Sequence, residues 1–212
     1  MFLETIIKIF GGIYNTESIV LSALVGLFVF IYFILHWHFD QKFKSLILLK
    51  IGLFISGGLQ LILGISYSII QGLVWNSTDT SVAKALVPPF APFGYIASYT
   101  WMHFLKGTIF TFAGALGLFF LLKLINKLGY DRFFYEEEYW LAALGCLAVG
   151  WPNLILYFFI ATFLSVIIHI IALALKKEGK ISLLYMWPIA MIITIIFGNK
   201  LATLTGLIQL KP

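Results

Sequence analysis

The sequence predicts an all-α fold, a polytopic bundle of about six membrane-crossing helices preceded by an N-terminal interfacial helix, and three observations predict it. Mean hydropathy is +1.01, with 61% hydrophobic and 11% charged residues, far from the composition of soluble domains. Several apolar runs reach the ~20 residues that carry a helix across a hydrocarbon core of about 30 Å. Finally, Lys and Arg gather in short links between these runs, which is how loop charge sets topology. Helices of that length use up 212 residues, so residues 1–212 form a single transmembrane domain.

The elements follow in order. Met1 to Tyr14 is amphipathic but too short to span, and Gly11-Gly12 followed by Asn15-Thr16-Glu17 is expected to end it as an interfacial helix. A removable signal peptide fits poorly, because Glu4 interrupts the basic start and no small-residue cleavage pattern follows. The first crossing is Ser18 to about His36, and a polar link at 37–45 carries Asp40, Lys42 and Lys44. The second crossing, about Leu46 to Gln71, places Gly57, Gln60, Gly64, Tyr67 and Gln71 along one stripe, the composition of a helix-to-helix seam. Residues 72–106 form the longest break, where Pro88, Pro89 and Pro92 forbid regular helix, with a short interfacial helix expected around Ala97 to Phe104.

The third crossing, Gly107 to about Asn126, carries Gly107, Thr111, Gly114, Ala115 and Gly117, again a close-packing face. A short helix is expected from about Glu138 to Gly150, and Trp151-Pro152-Asn153 turns the chain into the apolar span 154–175. Lys176-Lys177-Glu178-Gly179-Lys180 closes that span, and the last one, Ile181 to Phe197, should be kinked at Pro188. Alternating crossings put the links 37–45, 123–132 and 176–180, all basic, on one side, which the positive-inside rule makes cytoplasmic. Asp40 and the acids Glu136, Glu137 and Glu138 then share that face.

Composition also excludes chemistry. The one cysteine, Cys146, has no partner for a disulfide or a cysteine-based zinc site. The net charge of +5 is a topology signal in such a chain rather than a nucleic-acid footprint. No cofactor is expected. Carboxylates are scarce, nine Asp and Glu in all, and the only pair the topology brings together is Asp40 with one of Glu136 to Glu138. Two carboxylates in a cleft divide into an acid and a base and can activate water, whereas acids in a helix's first turn are also favoured by its dipole. Adjacent helical residues point about 100° apart, so at most one or two of the three glutamates face the bundle. His36 and Asp40 share a helical face while His38 points away, a poor metal site. His169, mid-membrane on the stripe Thr162, Ser165, His169, Ala172, is expected to face the bundle interior as a neutral interhelical hydrogen-bonder.

From Tyr139 onward the chain resembles the membrane domain of the prepilin leader peptidases, aspartyl proteases that trim type IV pilin precursors. The residues that carry it are Leu141-Ala-Ala-Leu-Gly145, Gly150-Trp-Pro-Asn153, the apolar span 154–175, Lys176-Lys177 and Pro188, with Gly114-Ala-Leu-Gly117 upstream. The resemblance puts the first catalytic aspartate at Asp40 and the second at Glu138, or at Glu137 when the register is anchored on Leu141-Ala-Ala-Leu144. It implies a multi-pass protein of the bacterial plasma (inner) membrane that cleaves prepilin-like leader peptides at the cytoplasmic face without a cofactor. The chain departs from the family's Gly-x-Gly-Asp-x-Lys hallmark and lacks its cysteine-rich insert. A non-catalytic membrane interaction protein is therefore the alternative. Lys106-Gly-Thr-Ile109, Gly114, Gly117 and Gly179-Lys-Ile-Ser182 more weakly resemble prolipoprotein diacylglyceryl transferases, whose arginines are missing here apart from Arg132. A transporter would need acids or broken helices near the midplane.

Overall fold

The computed structural model describes residues 2–38, 42–77, 85–89, 91–130, 133–175 and 182–210, with side chains described from Ile19 onward except at 38 and 42–45. Among them no strand occurs. The helices are α1 (Phe2–His38), α2 (Lys42–Ser77), α3 (Phe93–Thr100), α4 (Lys106–Leu128), α5 (Glu136–Val149), α6 (Asn153–Ala174) and α7 (Met186–Leu204), and a 3-10 turn, Leu207–Leu210, follows α7. Five stretches are long and apolar enough to cross a membrane: Ile19–Trp37, Leu46–Ser77, Phe93–Leu128, Asn153–Ala174 and Met186–Leu204. The chain is a multi-pass membrane protein with an all-α bundle fold.

The short helix α5 is the pillar of that bundle. Its 14 residues rise only about 21 Å, short of a hydrocarbon core of about 30 Å, yet it packs against α1, α2, α4, α6 and α7. From Glu138 to Ala148 every residue but Trp140 is buried, the signature of a helix apolar on all faces. A short helix inside a bundle leaves its last carbonyls without intrahelical donors, and where no water reaches they need side chains. Gln60 of α2 donates its amide to Leu147 O at 2.8 Å, and Ser22 of α1 donates its hydroxyl to Ala148 O at 2.9 Å. The Gly150 N–H closes on Cys146 O at 3.0 Å. Gly150 then takes φ +67°, a left-handed turn that reverses the chain into α6.

Small residues set the close approaches. A Cβ at Gly57 would meet Phe112 Cζ at 2.6 Å, and one at Gly114 would meet Leu154 Cδ2 at 3.0 Å, so both expected packing faces do pack. At Gly64 the neighbour is backbone, Phe104 O at 3.3 Å from an added Cβ.

Three local expectations are corrected. The N-terminal segment is not a separate interfacial helix: α1 runs unbroken through Gly11 and Gly12 to His38, because a glycine costs about 1 kcal/mol in a helix, too little to end one that is otherwise being propagated. The helix around Ala97 to Phe104 is not detached either. A π-helical turn, Trp101–Leu105, joins α3 directly to α4, accommodating an irregularity without losing the backbone ladder. Pro188 does not kink a span, since α7 starts at Met186 and proline in a first turn has no intrahelical bond to lose. The five long stretches and the short α5 together match the expected set of about six helices, one of them short.

Asn126 locks the link between α4 and α5. It is 4% exposed, its Oδ1 accepts the backbone N–H groups of Phe133 at 2.9 Å and Phe134 at 2.8 Å, and its Nδ2 donates to Tyr139 Oη at 2.6 Å. Asn126→Ala orphans two partly buried N–H groups and should cost about 2 kcal/mol, read as a lower melting temperature in detergent. Asn126→Asp keeps the acceptor and should recover part of the loss.

Candidate functional site

The ends of α1 and α6 and the starts of α2, α5 and α7 meet at one end of the bundle together with the C-terminus of α4. Contacts of α1, α2, α4, α5 and the entry to α7 fix this, and Leu173 near the end of α6 lines a groove with Leu183. Asn126 of α4 holds Tyr139 of α5, Lys50 Nζ of α2 lies 3.6 Å from Glu136 Oε1, and Phe33 of α1 stacks on Tyr185 at 5.4 Å. The residues flanking the three basic links thus share one end, as alternation requires. At the opposite end the Trp151 N–H donates to Thr111 Oγ1 at 2.8 Å, and the Trp151 indole donates to Leu210 O at 2.8 Å.

The three glutamates that open α5 have three environments, because successive residues turn by about 100°. Glu136 faces outward, in an exposed pair with Lys50 that is worth little; the same ammonium lies 5.3 Å over the Trp140 ring. Glu137 is partly exposed. Glu138 is 0% exposed, and its Oε1 accepts the Leu183 N–H at 2.8 Å and the Ser182 hydroxyl at 3.3 Å. It thereby ties the start of α5 to the segment that enters α7.

Tyr32 of α1 completes this end. It is fully buried, stacks on His36 with centroids 5.5 Å apart, and lies within electrostatic reach of Glu137, Glu138 and Tyr185. Among the described residues, neither the Tyr32 hydroxyl nor His36 Nδ1 has a hydrogen-bond partner. Asp40, the other carboxylate of the expected pair, lies outside the described residues, as does Lys176-Lys177. Tyr32 was not singled out from the sequence, and Ser182 and Tyr185 stood only in the run after Gly179 that carries the weaker, transferase resemblance, with no role of their own. Among the described residues no three His, Cys, Asp or Glu side chains come together to hold a metal ion.

Beside this end, a groove of about 500 Å³ opens between α4 and α6. Leu122, Ile125, Phe158 and Leu173 form apolar walls, and Trp187 and Leu183, whose N–H bonds Glu138, also line it. His169 lines this groove and is exposed, which corrects its expected place in the bundle interior. Its Nδ1 pairs with Ser165 O at 2.8 Å, while Ser165 and Thr162 donate to Ala161 O and Phe158 O, each at 2.8 Å. The helix's own carbonyls satisfy the polar stripe, so it can stand on an open face without a partner helix.

The fold and this end of the bundle define a multi-pass helical membrane protein with one enclosed glutamate and two that solvent reaches, beside an apolar lateral groove. No protein-family model matches the chain, and no curated protein or solved structure matches it.

Proposed function

We propose that the protein is a prepilin-peptidase-like endopeptidase of the bacterial inner membrane, cutting leader peptides at the cytoplasmic face with Asp40 and a glutamate of α5 as its carboxylates. One observation carries the choice of glutamate. Glu138 is sealed and spends its Oε1 on Ser182 and Leu183, whereas Glu137 is partly exposed next to it. A carboxylate that shares a water with Asp40 needs access to water, so Glu137 takes the second catalytic position and Glu138 supports it. One carboxyl then acts as base towards the water and the other as acid towards the scissile peptide. The groove between α4 and α6 offers an apolar leader segment a way in from the side.

A second reading has its own support. The bonds made by Glu138 are those of a structural carboxyl, and a protein that keeps the groove while its acids serve the fold is a non-catalytic membrane interaction protein. The transferase-like reading gains nothing from this geometry.

Co-expression with a prepilin-like substrate separates the two readings. Asp40→Ala and Glu137→Ala should each abolish cleavage while the variants still insert and accumulate. Unprocessed substrate with the wild-type protein favours the interaction protein, and unchanged processing in both variants removes the carboxylate pair.

A further inference from the structure

α4 and α6 meet near the end of the bundle opposite Glu138, where an added Cβ at Gly114 would lie 3.0 Å from Leu154 Cδ2. Towards Glu138 they part, each packing on the short α5 rather than on the other, and the groove of about 500 Å³ opens between them. Its floor is enclosed, since Leu122, Leu183 and Trp187 are all buried. Its rims, Ile125 on α4 and Ile170 on α6, are exposed, and they continue the groove into the lipid-facing surface of two membrane-crossing stretches.

The dimensions of the groove select what fills it. On α6 it runs from Phe158 to Leu173, a rise of roughly 22 Å, so its mean section is on the order of 20 Å². A helix with its side chains is about 10 to 12 Å across and needs about 80 Å² or more. An extended peptide, with strand spacings of about 4.8 and 10 Å, needs about 50 Å², and its backbone groups would also need partners at membrane depth. The hydroxyls of Thr162 and Ser165 already donate to carbonyls of α6 itself. A methylene chain, whose carbons touch their neighbours at roughly 4 Å, needs on the order of 20 Å².

We propose that this groove is a binding site for one acyl chain of a membrane phospholipid, seated between α4 and α6 on Leu122, Leu183 and Trp187. Hydrophobicity does not hold the chain there, because lipid tails are as apolar as the groove. Contact does, since an enclosed floor without neighbouring atoms forfeits dispersion attraction on that side. The site stands whether or not the protein is a protease. A leader helix, too wide to enter, would lie along the mouth with side chains in the groove and so displace the chain.

The test is photolabelling of the full-length protein in phosphatidylcholine vesicles that contain a trace of phosphatidylcholine with a diazirine on one acyl chain. Labelled residues are mapped by mass spectrometry. Leu122, Leu183 and Trp187 should be labelled at least as strongly as Phe120 and Phe163, which are exposed on the same two helices away from the groove. Labelling that follows exposure, strong at Phe120 and Phe163 and absent from the floor, overturns the proposal from the wild-type protein alone. Ser165→Phe puts a ring into the groove and keeps the backbone carbonyl that His169 uses, so floor labelling should fall to background while Phe120 and Phe163 keep theirs. Unchanged floor labelling in that variant overturns the proposal. An unlabelled floor together with cross-linked dimers, the mark of a second copy in place of lipid, overturns it as well.

Discussion

Gly145→Val should all but eliminate folded protein, because the position has no room for a side chain. An added Cβ at Gly145 runs into the Tyr157 hydroxyl and the end of its ring. Tyr157 cannot swing aside: it is 0% exposed, and Trp187 packs on it with centroids 6.2 Å apart. Overpacking a core usually costs 1 to 3 kcal/mol. A branched side chain driven into a rigid enclosed ring at the centre of the pillar helix should exceed about 3 kcal/mol by the same reasoning. The readouts are yield of monodisperse protein in detergent and melting temperature, with Gly145→Ala falling between Val and wild type. Tyr157→Leu, which withdraws the ring, should restore Gly145→Ala towards the melting temperature of Tyr157→Leu alone. A Gly145→Val protein that melts like wild type would show that α5 and α6 do not approach as closely as described.

Much of this architecture is legible in the chain because lipid imposes one rule. Backbone groups in hydrocarbon must be satisfied internally, so long apolar runs become helices regardless of local propensity. The same rule explains what was misread. Gly11-Gly12 and the segment before Gly107 carry the marks of breaks in a soluble protein, yet the helical ladder continues through both. Pro188 could be placed in a helix but not in its first turn, since the start of α7 is set by a carboxylate 44 residues away in sequence that bonds Ser182. The capping of α5 by Gln60 and Ser22 was likewise hidden. Gln60 was visible as part of a seam, but its acceptor is a backbone carbonyl, and carbonyls have no sequence signature.

The candidate site was half legible. A cluster of three acids at a helix start beside a long apolar run marks a bundle end, and the turn of about 100° per residue implies that they divide between solvent and interior. Which of them turns inward could not be phased. Phasing needs an amphipathic stripe, and α5 is buried on nearly every face from Glu138 to Ala148, so rotating it by one residue leaves the pattern unchanged. His169 failed for the opposite reason. An ionisable side chain in a span is expected to seek a partner helix, but the Ser165 carbonyl one turn back serves it locally.

Glu138 provides the measurement that separates fold from chemistry. Glu138→Ala removes the acceptor of the Leu183 N–H and of the Ser182 hydroxyl and leaves a void at a fully enclosed position. A buried donor left unpaired costs about 1 to 3 kcal/mol, and truncating a buried side chain adds a cavity term, so about 3 kcal/mol in total is expected. The effect should be local as well as global: the Leu183 amide, which precedes α7, should exchange hydrogen faster in the variant than in the wild-type protein. Glu138→Gln keeps an oxygen for Leu183 and an amide of nearly the same shape, and should melt within about 1 kcal/mol of wild type. That variant divides the two roles of this residue. With Glu138 as an anchor, Gln supports substrate processing as well as Glu does, and Glu137→Gln is the variant that stops it. With Glu138 as the catalytic carboxyl, Gln folds but does not cleave, since an amide cannot exchange the proton that water activation requires.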